Sequence, residues 1–108
     1  MKLMIIIVQD EDVNKLMKSF TKHNIRVTRL ASTGGFLKRG NTTFIAGVED
    51  EQTSKIKEML KETCKSRVEI MPSIPVISQG MVSASEPIEV RVGGAVVFEV
   101  NVQDFYTV

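Results

Sequence analysis

Leu3-Met4-Ile5-Ile6-Ile7-Val8-Gln9-Asp10-Glu11-Asp12-Val13 is the stretch on which the fold turns, because its pattern returns 40 residues later. Leu3 to Val8 is continuously apolar, as expected of a strand in the middle of a sheet with both faces covered. Asp10 can cap a following helix, with Glu11 and Asp12 placed in its first turn. Val13, Leu16, Met17 and Phe20 then fall at i, i+3, i+4 and i+7, a single apolar stripe on a helix running to about His23. At an offset of 40 residues Ile5, Val8, Asp10, Glu11 and Lys15 recur as Ile45, Val48, Asp50, Glu51 and Lys55, and Leu16 and Phe20 as Ile56 and Leu60. Two strand–helix halves that begin alike predict an α+β chain with a ferredoxin-like βαββαβ sheet.

Between the halves, Ile25 to Ala31 reads as a second strand, with Arg26 and Thr28 on one face and Val27 on the other. Thr43 to Val48 reads as a third, joined to the second as an antiparallel hairpin by a long tip. The second helix starts at Asp50-Glu51 and buries Ile56, Met59, Leu60 and Cys64, and Arg67 to Met71 reads as a fourth strand. Pro72 to Pro87 carries all three prolines and four serines, which predicts a long loop poorly suited to extend a sheet. Ile88 to Val102 regains strand character around a break at Gly93-Gly94, with a β-bulge as the plain reading of that break and close approach of a ligand or neighbouring subunit as the other. The aromatic tail Asp104-Phe105-Tyr106 is expected to pack.

The bulk numbers exclude several classes of function. The 108 residues fit one domain, 1–108, and the composition, 43% hydrophobic and 25% charged, is that of a globular protein. A formal net charge of +1 gives no footprint for long nucleic acid, so any anion site must be local. One cysteine, Cys64, and one histidine, His23, cannot build a zinc site or an internal disulfide within a chain. Both have structural readings, His23 at a helix end and Cys64 on a buried stripe, as do Met17, Met59 and Met71 at core spacing. The apolar run at the start is too short for a signal sequence and meets acidic residues at once, and no segment approaches the roughly 20 apolar residues needed to cross a bilayer. A cytoplasmic protein without membrane insertion is expected.

The hairpin tip carries the chemistry. Ala31 to Thr43 (ASTGGFLKRGNTT) packs three glycines, two cations and an aromatic ring among small hydroxyl and amide side chains. Adjacent glycines allow successive N–H groups to converge on an anion. The spacing of Gly35, Gly40 and Thr42 is close to that of a phosphate-binding P-loop, but Asn41 stands where lysine is required and a strand follows instead of a helix. Arg26 and Thr28 lead into the tip from one strand face, where a guanidinium and a hydroxyl can hold phosphate oxygens. Gly47 would let a flat ring lie close to the backbone, Phe36 and Leu37 offer apolar contact, and Asn41 can bond the ring edge. A phosphate joined to a flat heterocycle is a nucleotide.

These residues also carry a resemblance. Arg26-Val-Thr-Arg-Leu-Ala-Ser-Thr-Gly-Gly-Phe-Leu-Lys-Arg-Gly-Asn-Thr-Thr-Phe44, followed by Gly47-Val-Glu-Asp-Glu51 and Val92-Gly-Gly-Ala-Val-Val-Phe98, resembles the PII-like cyclic-di-AMP receptor family of Gram-positive bacteria (the PstA or DarA type). The resemblance spans nearly the whole chain except Pro72–Pro87. It implies a ferredoxin-like homotrimer that binds one cyclic-di-AMP in each cleft between subunits, without catalysis or cofactor. It further implies that the binding residues are Asn24, Arg26, Thr28, Gly35, Phe36, Leu37, Asn41 and Gly47, with Gly93 and Gly94 lining the site from the same or the adjacent subunit. The loop equivalent to Pro72–Pro87 would be flexible and reorder on binding, changing the surface offered to an unidentified protein partner. Ser32, Lys38-Arg39 and Glu99 depart from the family pattern; Arg39 adds charge at the ligand mouth, and Glu99 is expected to face solvent. The rival readings are a small nucleotide-processing enzyme, an RNA-binding ferredoxin-like module, for which five Phe and one Tyr are few stacking groups, and a metal-binding trimer, which one His and one Cys disfavour.

Overall fold

The apolar repeat at residues 3–8 becomes the second innermost position of a four-stranded antiparallel sheet. In a computed structural model, which describes residues 1–31, 40–71, 75–78, 81–84 and 87–108, strand β1 (Lys2–Gln9) lies between β3 (Asn41–Val48) and β8 (Ala95–Asn101), and β2 (Thr28–Ala31) closes the other edge beside β3. The side chains of Ala31, Met71, Pro75–Ser78 and Met81–Ala84 are not described. Helices α1 (Val13–Lys22) and α2 (Gln52–Thr63) both lie against one face. The two helices, the antiparallel sheet and the order β2-β3-β1-β8 fit the ferredoxin-like arrangement.

Alternation along the strands explains which face the helices take. Met4, Ile6 and Val8 of β1 and Phe44, Ala46 and Val48 of β3 are all buried against Val13, Leu16 and Phe20 of α1 and Ile56, Met59 and Leu60 of α2. Phe20 and Phe44 meet edge to face, their ring centroids 5.7 Å apart. The predicted stripes on both helices are therefore the core. The second face differs from the sequence expectation: Leu3 and Ile5 are only half-buried, and beside them Leu30, Phe98 and Val100 are 39%, 45% and 46% exposed. The apolar run in β1 thus corresponds to a sheet covered by helices on one side and left apolar on the other.

Local chemistry sets the joints. Helix α1 ends as a Schellman turn, in which the amides of Asn24 and Ile25 donate to the carbonyls of Thr21 and Phe20 at 3.2 and 2.9 Å. Asn24 occupies the left-handed position with φ 56°, and Ile25 closes over the core. This turn delays the second strand, so pairing starts at Thr28 and not at Ile25. The acidic starts of the helices also differ from the expected caps. Asp10–Asp12 form a 3-10 turn ahead of α1, and neither Gln9 nor Asp12 nor Glu51 makes a side-chain cap bond.

The second half of the chain departs further. Strand β4 (Arg67–Met71) forms as predicted, yet it pairs with β7 (Ile88–Val92) in a separate ribbon, and the fourth place in the main sheet belongs to β8. The reason lies at Gly93 and Gly94, which adopt φ of +84° and +91° and turn the chain from ribbon to sheet. They are a joint between two strands of different sheets, not a bulge within one. Pro72–Pro87, expected as a long loop poorly suited to extend a sheet, contains two strands, β5 (Pro75–Ser78) and β6 (Met81–Ala84), paired antiparallel with each other. Pro75 is the first residue of its strand, where a missing N–H is tolerated.

Candidate ligand site at the sheet edge

Strands β2 and β3 place Thr28 opposite Ile45, so the alternation that sends Phe44 and Ala46 to the core sends Thr28, Ile45 and Gly47 to the open face. Arg26 comes off the irregular segment just before β2. Together Arg26, Thr28 and Gly47 line one cavity of about 480 Å³. Its remaining walls are apolar: Met1 and Leu3 from the start of β1, Val27 and Ile45, and Val102 and Phe105 from the segment after β8. The volume falls in the roughly 300–1,000 Å³ range of small-molecule sites. Arg26 and Thr28 are both exposed, and nothing lies within 4 Å of the point where a Cβ on Gly47 would sit. A cationic fork and a hydroxyl thus stand over a hydrophobic floor with open backbone beside it, which suits a phosphate attached to a flat ring.

The other candidates divide. Asn24 is exposed and serves as the left-handed residue of the α1 turn, and it is not among the residues lining the cavity. Gly35, Phe36 and Leu37 lie outside the described residues. Asn41 is 7% exposed and sits opposite Gln9 at the far end of β3. Six residues of strand separate it from Gly47, about 20 Å at the usual rise. Gly93 belongs to that far end, since its buried N–H donates to Gln9 Oε1 at 2.6 Å. The Gly94 amide donates to the Cys64 carbonyl beside it. Among the described residues, therefore, Arg26, Thr28 and Gly47 lie at one end of the sheet and Asn41, Gly93 and Gly94 at the other.

Three contributors to these two ends were missing from the sequence reading. Phe105, expected to pack, is 66% exposed, and Tyr106 is 74% exposed, yet Phe105 walls the cavity. Asp10, read as a helix cap, accepts the Thr42 hydroxyl at 2.6 Å. Asp12, read the same way, is buried and accepts Arg67 Nη2 at 2.8 Å, while Arg67 Nε donates to Glu69 at 3.0 Å. The Asp12 bond above all, with Glu69, raises the Arg67 pKa further above its already high value. A larger hollow of about 540 Å³ lies on the other side, between α2 and β8, walled by Leu60, Cys64 and Val97 with Lys57, Lys61 and Lys65 around it. Of the predicted residues it contains only Gly94, and Lys57 is already drawn to Glu99 at 3.7 Å. Glu99 is exposed, as expected. Among the described residues no group of three or more His, Cys, Asp or Glu is placed to hold a metal ion, and no helix is long and apolar enough to cross a membrane.

The sequence model of the cyclic-di-AMP receptor family matches residues 1–108. The chain belongs to the cyclic-di-AMP receptor family. A crystal structure of a functionally unknown protein from Pediococcus pentosaceus ATCC 25745 has the same fold, with a TM-score of 0.77 and 40% sequence identity over 99% of this chain and 96% of that one. Arg26, Thr28 and Gly47 line the edge cavity together, with one cationic and one hydroxyl side chain beside open backbone.

Proposed function

We propose that this receptor seats one half of cyclic-di-AMP in the Arg26–Thr28–Gly47 cavity and acts as a non-enzymatic sensor in the cytoplasm. The observation that carries the reading is the convergence of these three residues, from two strands and a loop, on one hollow with an apolar floor. Arg26 chelates phosphate oxygens, the Thr28 hydroxyl donates a further bond, and the adenine lies over Gly47 against Ile45 and Phe105. The stretch Gly35-Phe36-Leu37 supplies backbone donors and apolar cover. No bond is made or broken and no cofactor takes part.

The separation of Asn41, Gly93 and Gly94 from Gly47 is accommodated by a homotrimer in which one chain's edge cavity faces the other end of its neighbour. The open apolar face of Leu3, Ile5, Phe98 and Val100 supports association, because a face of this kind is unfavourable in water. Output to a protein partner runs through the segment 72–87, whose arrangement shifts by the difference in ligand affinity between its two states.

Isothermal titration with cyclic-di-AMP, cyclic-di-GMP and ATP tests the reading. Adenine-selective binding near one site per chain is expected, with Arg26→Ala or Thr28→Ala weakening it by about 1–3 kcal/mol. Gly47→Leu is the sharper probe: a Cβ at this position meets no atom within 4 Å, and the longer side chain fills the seat. No heat with any nucleotide, or full binding by Gly47→Leu, refutes the assignment. Light scattering should give the mass of three 12.0 kDa chains, and linear dinucleotide after incubation would refute the non-enzymatic role.

A further inference from the structure

The β2–β3 ladder ends at Ala31 opposite Thr42, so beyond that pair the chain from Gly40 to Asn41 depends on β1 for its position. Besides the Gln9–Asn41 ladder pair, two contacts from Asp10 hold it. The Asp10 N–H donates to the Gly40 carbonyl at 2.9 Å, and the Asp10 carboxylate folds back so that Oδ1 accepts the Thr42 hydroxyl at 2.6 Å. The second oxygen, Oδ2, occupies the space over Gly40; a Cβ there would come within 2.5 Å of it. Asp10 itself is exposed, whereas Thr42 is buried. An exposed carboxylate gains little stability from such a bond, since water serves it nearly as well. Residues 40 and 42, on either side of Asn41, are nevertheless both held by Asp10, one through its backbone N–H and the other through its carboxylate. Because side chains alternate along a strand, holding Gly40 and Thr42 from one face aims Asn41 toward the other.

We propose that Asp10, Gly40 and Thr42 form a clamp that positions Asn41 for cyclic-di-AMP, an inference that rests on the ligand reading above. Asp10 and Thr42 are positioning residues; neither is assigned a contact with the ligand. Ordering a backbone segment before binding removes that entropic cost from the binding step, so the clamp acts on affinity.

The test is titration with cyclic-di-AMP of Asp10→Ala, Thr42→Val and their conservative partners Asp10→Asn and Thr42→Ser. Asn keeps an oxygen that accepts the hydroxyl, and Ser keeps the hydroxyl. Asp10→Ala and Thr42→Val should each weaken binding about tenfold, the double variant no further, and Asp10→Asn and Thr42→Ser should restore most of it. Gly40→Ala, which expels the carboxylate, should match Asp10→Ala. If the carboxylate acts only as a charge near an anion, Asp10→Ala binds as well as or tighter than the parent and Asp10→Asn behaves like it, which overturns the clamp. Parent binding with unchanged affinity in Asp10→Ala and Thr42→Val overturns the clamp alone. Absence of binding by the parent overturns the ligand reading and the clamp with it.

Discussion

Removing Arg67 should cost more than removing its partner, and the asymmetry follows from burial. The side chain of Asp12 is 1% exposed and that of Arg67 is 31% exposed. In Arg67→Met the buried carboxylate loses its cation and the 2.8 Å bond from Nη2, along with the weaker one from Nη1 at 3.4 Å. Breaking a fully buried pair from one side costs about 3–5 kcal/mol, and the water that reaches the vacated position lowers this to about 2–3 kcal/mol. In Asp12→Asn the guanidinium keeps Glu69 at 3.0 Å, the Lys65 carbonyl at 3.1 Å and access to solvent, and the Asn oxygen still accepts from Nη2, so the loss is the charge on that bond, about 1 kcal/mol. Urea denaturation at one fixed protein concentration reads both values from the midpoint at constant slope. The larger loss corresponds to a fall in Tm of about 8–15 °C for a domain of this size. Arg67 is the first residue of β4, so amide exchange in β4 and β7 should accelerate in Arg67→Met before exchange in β1 does. A cost for Arg67→Met below about 1 kcal/mol, or no greater than that for Asp12→Asn, refutes the reasoning.

Gly93→Ala and Gly94→Ala should separate, although both glycines have positive φ. At Gly93 a Cβ would also strike the Lys65 carbonyl oxygen and Arg67, whereas at Gly94 nothing lies within 4 Å, so denaturation should show about 1–2 kcal/mol for Gly94→Ala and clearly more for Gly93→Ala. Burial pushes the Cys64 thiol pKa up, with nearby Asp12 adding to the rise and the Thr63 hydroxyl and Arg67 opposing it; alkylation of the native protein near pH 8 should therefore be slow, becoming fast in urea. The thiol holds its proton more tightly folded than unfolded, so its share of stability is full below the unfolded value and falls as pH rises above about 9, a slope that Cys64→Ala should lack. Phe105→Ala should weaken cyclic-di-AMP binding by about 1 kcal/mol or more through lost stacking, and Phe105→Trp, in a chain without tryptophan, should retain binding and report it by quenched fluorescence. Unchanged affinity in Phe105→Ala would remove that residue from the site.

Periodicity was enough for the helices and the inner strands. The stripes Val13–Leu16–Phe20 and Ile56–Met59–Leu60 are local arrangements, set by 3.6 residues per turn and the need to bury one side. Arg26, Thr28 and Gly47 were also legible, since two strand faces joined by a hairpin bring i and i+2 positions to a common side. The segment 72–87 was misread because its prolines and serines outweighed a visible pattern. Pro75-Val-Ile-Ser78 and Met81-Val-Ser-Ala84 flank Gln79-Gly80 at hairpin spacing.

What remained hidden depends on distance along the chain. Nothing near Asp12 announces Arg67, 55 residues away, and nothing near Asp10 announces Thr42, so both acids read as caps. Phe105 lines the same cavity as Arg26 only because β8 runs beside β1 and delivers the following segment to that edge. The inner strands and the helical stripes are properties of neighbouring residues, and the sequence by itself determined them. Tertiary structure decided which strand fills the fourth place in the sheet, because that choice turns on two glycines whose positive φ carries the chain out of the ribbon. It also decided that, among the described residues, Arg26, Thr28 and Gly47 stand at the opposite end of the sheet from Asn41, since a strand separates its ends by its length whatever chemistry they share.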